Sequence, residues 1–237
     1  MKKRKTKIIA TVGPASLKYG VFKELIKEGA DFIRINTAYS NQRQHALISE
    51  SLRKIKTGRR IKLIFDIRSP EKAKKILKEK PSLIALSFTE SKRQFEGIKK
   101  YLPQAKIIAK IESKRGVGNF DKILPFCWGV MVARGDLAIA VSLEKVPCLQ
   151  KRFSEKTLKE KKFLIVATEM LLSMVKNAKP TRAEVSDVAN AVFEGASAVM
   201  LSEETAIGRH PVEAVKYMRR IIEETESCIL KNNKRLR

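Results

Sequence analysis

Eight times along this chain, a short apolar, β-branched run is followed by a longer amphipathic stretch rich in Lys and Glu. No other feature constrains the fold as strongly. The runs cover residues 7–10, 32–35, 62–65, 83–87, 106–109, 129–132, 163–167 and 198–201. The helical patterns cover 18–28, 41–56, 71–79, 91–101, 116–124, 143–158, 182–194 and 211–226. Repeated strand-then-helix order makes parallel strands joined by helical crossovers. Eight such units in 237 residues match the ordinary size of an α/β barrel. The expected fold is therefore α/β, a single (β/α)8 TIM barrel over residues 1–237, with an open doubly wound sheet as the alternative. Local signals agree: Thr181-Arg-Ala-Glu184 reads as a capping box, and Pro211 stands near the start of the last helix.

No Gly/Ser/Pro-rich linker divides the chain, and the basic segment 229–237 reads as a disordered tail. No apolar run is long enough to cross a membrane. Residues 1–7 are basic, and the apolar stretch 8–12 is too short for a signal peptide. Cys127, Cys148 and Cys228 are scattered, odd in number and without metal-ligand spacing, which suggests a reducing cytoplasm. Fifty Lys and Arg against 25 Asp and Glu give a formal net charge of +25. That excess suits anionic partners, either phosphorylated metabolites or nucleic acid, or serves only as a solubilising surface. Aromatics are 6% of residues and no aromatic-basic interleaving occurs, so nucleic acid is not favoured. Self-association is left open.

A barrel of this kind places functional residues at the C-terminal ends of its strands. Here those positions hold residues 11–16, Arg34 and Asn36, Asp66, Ser87 and Phe88, Lys110 and Glu112, Arg134 to Asp136, Thr168 and Glu169, and Ser202 to Glu204. Lys110 and Glu112 stand two residues apart, so one strand points both the same way. Asp136 follows on a Gly-containing turn after the next apolar run. One ammonium and two carboxylates on adjacent strand ends suit a divalent metal holding an anionic substrate. For the isolated Lys-x-Glu pair, a strand-end salt bridge is the bland alternative.

Longer motifs narrow the choice. Thr6-Lys-Ile-Ile-Ala-Thr-Val-Gly-Pro-Ala-Ser16 resembles the opening signature of the pyruvate kinase family, and Arg34-Ile-Asn36 resembles its second-strand motif. Residues 107–121 are similar to its fifth-strand segment and 131–137 to its sixth. Ala167-Thr-Glu-Met-Leu171, Pro180-Thr-Arg-Ala-Glu184, Asp187-Val-Ala-Asn-Ala191 and Val199-Met-Leu-Ser202 continue in family order.

The resemblance implies a (β/α)8 barrel that binds phosphoenolpyruvate, ADP and Mg²⁺ or Mn²⁺ and yields pyruvate and ATP, the last step of glycolysis. It implies metal ligation by Glu112 and Asp136. Lys110 would stabilise the transferring phosphoryl group and the enolate, and Arg34 would bind phosphate. The backbone N–H groups of Gly135 and Asp136 would cradle the substrate carboxylate, and Thr168 would position the enol for protonation. Phosphoryl transfer is mostly positioning and charge neutralisation, which such a set supplies.

Departures from the family pattern are equally specific. The family inserts a lid domain after the third strand, whereas Asp66-Ile-Arg-Ser-Pro-Glu71 runs straight into a helical pattern. The arginine just before the lid and the C-terminal regulatory domain are also not found in this sequence. Of the four positions that hold a monovalent cation in the family, Asn36 and Asp66 keep side-chain oxygens, while Ala38 and Ile67 do not. K⁺ dependence is therefore doubtful. Glu169 and Glu203 replace a family Gln and Gly and add negative charge to the rim. Two function classes follow: a minimal phosphotransferase of weak activity, or a catalytically idle or enolising barrel that binds phosphoenolpyruvate or oxaloacetate, or uses its basic surface for RNA or an acidic partner. His45 and His210 are expected to be solvated or locally bonded, and Phe88, Phe126 and Trp128 to pack in the core or at a barrel end.

Overall fold

The computed structural model describes residues 4–235. Eight parallel strands close into a barrel, each paired with the next and the last with the first. They are β1 (Lys7–Thr11), β2 (Phe32–Asn36), β3 (Lys62–Ile67), β4 (Leu83–Leu86), β5 (Lys106–Ile111), β6 (Gly129–Ala133), β7 (Phe163–Ala167) and β8 (Ala198–Leu201). The TIM barrel expected from the alternation is what forms, and an open sheet is not. Helices α1 (Tyr19–Glu28), α2 (Gln42–Lys54), α3 (Lys92–Lys99), α4 (Lys114–Gly118) and α5 (Phe120–Ile123) pack outside the first half. Helices α6 (Arg134–Val141), α7 (Val146–Lys159), α8 (Arg182–Phe193), α9 (Glu203–Ala206) and α10 (Pro211–Arg235) follow in the second half.

Strand periodicity divides the apolar residues into two shells. Ile8, Ala10, Ile33, Phe65, Ile107 and Ile111 point outward under the helices, in one large core with residues such as Phe22 and Phe153. The opposite faces fill the barrel with a second core. Its middle layer is four isoleucines from alternate strands, Ile9, Ile64, Ile108 and Ile165, all fully buried. Two residues further along the same strands stand Thr11, Asp66, Lys110 and Ala167, at the C-terminal end that we call the mouth. Two residues before the isoleucines stand Lys7, Lys62, Lys106 and Phe163, at the N-terminal end, the floor. Phe32 of β2 meets Phe163 of β7 across the interior at 5.8 Å between ring centroids, and Trp128 stacks on Phe163 at 4.8 Å. Trp128 thus packs at a barrel end as expected.

Several elements differ from the sequence reading. The segment after β3 is a 3-10 helix, Pro70–Glu79, rather than the α-helix expected at 71–79. The helix expected at 116–124 breaks at Asn119 into α4 and α5. The one expected at 143–158 begins as a 3-10 turn, Leu143–Lys145, before α7, whose Pro147 sits at its start, where a missing N–H is harmless. Asp136 lies in the first turn of helix α6 and not in a turn. The segment from 229, read as a disordered tail, is helical through Arg235, and residues 236–237 fall outside the described residues. The Thr181 capping box forms, with the Glu184 N–H donating to Thr181 Oγ1 at 3.2 Å and the Thr181 N–H donating to Glu184 Oε2 at 2.7 Å.

Candidate active site at the barrel mouth

Inward-facing residues of β2, β3 and β5 meet in a buried chain of alternating charge. Arg34 Nη2 lies 2.7 Å from Asp66 Oδ2, and Arg34 Nε donates to the same oxygen at 2.9 Å. Lys110 Nζ lies 3.1 Å from Asp66 Oδ2 and 2.9 Å from Glu112 Oε1. It also donates to Ser87 Oγ at 3.0 Å, and Ser87 donates to Asp66 Oδ1 at 3.1 Å. Thr11 Oγ1 accepts from Arg34 Nη1 at 3.1 Å. The four charged residues are buried, between 1% and 7% exposed. A buried charge survives only when paired and hydrogen-bonded, and this chain pairs each one. Lys110 stands in β5 and Glu112 one residue past its end, and both turn inward to meet at 2.9 Å.

Titration follows from these contacts. Burial alone would raise the Asp66 carboxyl, but the Arg34 guanidinium and the Lys110 ammonium hold it below its ordinary value. Burial pushes Glu112 the other way, upward, and Lys110 and the Phe88 N–H, which donates to Glu112 Oε2 at 2.8 Å, offset only part of that. Glu112 is thus a desolvated carboxylate with an incomplete complement of positive charge.

Above this chain of charges, at the mouth, opens a cavity of about 1150 Å³. Arg34, Asp66, Lys110, Glu112, Gly135, Asp136 and Thr168 all line it, so the structure brings every sequence-proposed catalytic and ligand residue to one mouth. Asn36 lines it too. Among the described residues, seven carboxylates and four basic side chains line this space, in a chain whose net charge is +25. Among the described residues, no cluster of three or more His, Cys, Asp or Glu side chains forms a ready-made metal cage. A Mg²⁺-like ion does not require one, since it commonly takes one or two carboxylates and completes its shell with water and substrate oxygens. The under-compensated Glu112, the exposed Asp136 and the surplus of negative charge fit such an ion.

The seventh strand ends in backbone strain. Thr168 has φ 77° and Glu169 φ 55°, in the left-handed region that a β-branched residue rarely enters. Such residues cost on the order of 1–3 kcal/mol each and persist where surroundings over-determine them. Here Arg134 does so. Its Nη2 and Nε donate to the Thr168 carbonyl at 2.7 and 3.2 Å, while Nη2 pairs with Asp187 Oδ2 at 2.6 Å. Gly135 faces this turn closely, and a Cβ there would lie 2.8 Å from Thr168 Cγ2. Only glycine lets the N-terminus of α6, with its unpaired N–H groups, approach that strand end. Sequence reasoning gave Arg134 no task, because its partners are 34 and 53 residues away.

Other expectations change. Phe88, expected to pack in the core, is 36% exposed at φ 47° and lines the cavity. Phe126, expected to be packed, is 55% exposed. His45, expected to be solvated or locally bonded, is locally bonded, with Nε2 2.8 Å from Ser40 Oγ, and is buried edge-on to Phe65 with Nδ1 3.7 Å from Glu79. Glu204, read as a rim carboxylate, is fully buried and accepts the N–H groups of Leu171 and Ser202 at 3.0 and 2.7 Å. Glu169 and Glu203 do line the cavity. Asn36 stands beside Asp66 in register, but its Oδ1 accepts the Ala38 N–H at 3.2 Å, and Asp66 is committed to Arg34 and Lys110.

Comparison with known proteins agrees with this geometry. The sequence model for the pyruvate kinase barrel domain matches residues 3–91 and 76–215. Pyruvate kinase of Chlamydia trachomatis (serovar D) is 52% identical over 149 residues, 61% of this chain and 31% of that protein. Pyruvate kinase of Geobacillus stearothermophilus is 54% identical over 123 residues, 52% of this chain and 21% of that protein. Pyruvate kinase of Thermotoga maritima is 44% identical over 131 residues, 55% and 28% respectively. The matched part of the chain therefore spans less than a third of the length of these relatives. With the barrel model matched over well more than half of its residues, the chain belongs to the pyruvate kinase family.

Proposed function

We propose that the mouth binds phosphoenolpyruvate with Mg²⁺ or Mn²⁺ and transfers the phosphoryl group to ADP, giving pyruvate and ATP slowly. The observation that carries this reading is the Arg34–Asp66–Lys110–Glu112 chain at the base of a cavity otherwise dominated by carboxylates. Glu112 and Asp136 would hold the divalent ion, which would neutralise the charge of the substrate's phosphate and carboxylate. Arg34 meets the phosphate, and Lys110 stabilises negative charge on the enolate oxygen and the phosphoryl group. The first N–H groups of α6 at Gly135 and Asp136 take the carboxylate. Thr168, held by Arg134, steers the proton to carbon. Because the lining is net negative, an anionic substrate alone is repelled, and its binding depends on the metal.

One feature favours a second reading, enolisation without efficient transfer. The chain passes from β3 through Arg68 and Ser69 directly into the 3-10 helix Pro70–Glu79, where the family carries its lid. A lid keeps water out and holds the nucleotide in line. Correct positioning is worth up to ~7–11 kcal/mol, so losing a fraction of it costs orders of magnitude in transfer rate. Enolate stabilisation by Lys110 needs less. Loss of oxygens at Ala38 and Ile67, and the commitment of Asp66 to two cations, make any activity independent of K⁺.

The test is pyruvate formation from phosphoenolpyruvate, ADP and Mg²⁺, run beside solvent-deuterium exchange at the pyruvate methyl group. Slow transfer with measurable exchange is expected. Fast transfer would refute the lid argument, and absence of both reactions would leave an idle binding barrel. Asp136→Asn should weaken Mn²⁺ binding by at least about tenfold, as loss of one charged ligand requires. Unchanged affinity would place the metal elsewhere.

A further inference from the structure

We propose that the floor of the barrel, at the end opposite the mouth, is a second anion site that takes a compact polyphosphate. Lys7, Lys62 and Lys106 occupy equivalent places on β1, β3 and β5, two residues before the inward-facing Ile9, Ile64 and Ile108. Strand periodicity therefore turns all three toward the barrel axis, with Phe163 as the fourth member of the layer. Alternate strands of a barrel contribute to one layer, so the backbone positions of these three lysines stand around one opening. The cation–ring contact of Lys106, 5.3 Å above Trp128, places it there directly.

These lysines are not neutralised. Among the described residues, none of the three has a carboxylate within ion-pair distance, although the structure contains many pairs elsewhere. Among the described residues, Lys7 Nζ donates to the Arg4 carbonyl, at 3.0 Å. Lys62 and Lys106 are exposed. A cavity of about 410 Å³ opens beside the layer, lined by Cys127, Trp128, Lys161, Lys162, Phe163 and Ser197, with Glu160 as its one acid among the described residues. Like charges gathered without counter-ions repel, and a multiply charged anion relieves that repulsion.

Trp128 decides which anion fits. Trp128 is stacked on Phe163 and carries the Lys106 ammonium 5.3 Å from its ring centroid, so both contacts compete with a nucleobase for the ring. Single-stranded nucleic acid, which binds by stacking on exposed aromatics, fits poorly. A ligand made of linked phosphate groups needs only converging ammonium donors. The proposal does not rest on the phosphotransferase reading, since it uses no residue of the mouth.

Trp128 is the single tryptophan of the chain, so its emission reports on the floor alone. The intact protein is titrated with tripolyphosphate at constant ionic strength. A saturable change in emission is expected, weakened roughly tenfold or more by Lys62→Ala, as loss of a charge-assisted contact implies. Lys62→Arg should retain binding, and Lys18→Ala, at the mouth-side start of α1, should leave it unchanged. A response matched by KCl would overturn the proposal, as would equal affinity in Lys62→Ala or saturable binding of oligoribonucleotide but not of tripolyphosphate.

Discussion

The two ends of this barrel are built from the same strands and the same layer geometry, yet they treat charge in opposite ways. β5 carries Lys110 at the mouth and Lys106 at the floor, four residues apart and on the same face. Lys110 is 6% exposed and spends its donors on Asp66, Glu112 and Ser87. Lys106 is exposed and has an aromatic ring beneath it, with no carboxylate in ion-pair reach among the described residues. At the mouth, carboxylates outnumber cations and burial makes each pairing obligatory. At the floor, cations stand alone and solvent makes their isolation cheap. Burial, and not residue type, decides whether a lysine is part of the fold's stability or a free charge for a ligand.

The largest expected effect breaks the mouth. Lys110→Met leaves Glu112 without its cation and Asp66 with only Arg34, so unfolding in urea should show a loss of about 3–5 kcal/mol. A loss below ~1 kcal/mol would mean that the charge chain is not structurally binding. Next, Gly135→Ala forces a methyl to within 2.8 Å of Thr168 Cγ2. We expect a loss of about 1–3 kcal/mol from overpacking, together with weaker substrate binding. A fully stable variant would show that the strained turn can yield.

A pH effect comes third. Burial raises the Glu204 carboxyl above the ordinary glutamate value of 4.5, despite the N–H groups it accepts. The native state then binds more protons than the unfolded state between the two values, so stability from this group falls as pH rises through that window. Glu204→Gln cannot titrate, and its stability should be flatter with pH over the same interval. Parallel profiles for the two proteins would contradict the sign. The smallest effect is at the floor. Lys106→Met removes an exposed, unpaired charge, and stability should change by no more than ~0.5 kcal/mol, in either direction. A loss comparable to that of Lys110→Met would erase the distinction between the two ends.

Much of this architecture was legible in the chain. Short apolar runs located all eight strands because the central residues of each are buried on both faces and the runs are bounded by polar, helix-forming sequence. Strand-end logic then collected Arg34, Lys110, Glu112, Gly135, Asp136 and Thr168 at one mouth, since parallel strands bring their C-terminal ends together whatever lies between them. Helix type and continuity were less legible. The 3-10 helix Pro70–Glu79 carries ordinary helix formers, whereas the break at Asn119 follows Gly116 and Gly118, weak helix formers that the apolar periodicity alone passes over.

What the sequence determined by itself was therefore periodic: the barrel, the layer to which each inward residue belongs, and the end of the barrel on which it stands. Period-two side-chain alternation is a local property of a strand and needs no knowledge of neighbours. What only the tertiary structure decided was pairing and burial. Asp66 belongs to Arg34 and Lys110, Arg134 holds Thr168 in a left-handed turn, and Glu204 supports two backbone N–H groups instead of facing substrate. Those assignments join residues up to dozens of positions apart, and they set which carboxyl titrates high and which low. Burial multiplies electrostatic interactions, and burial is a property of the whole fold.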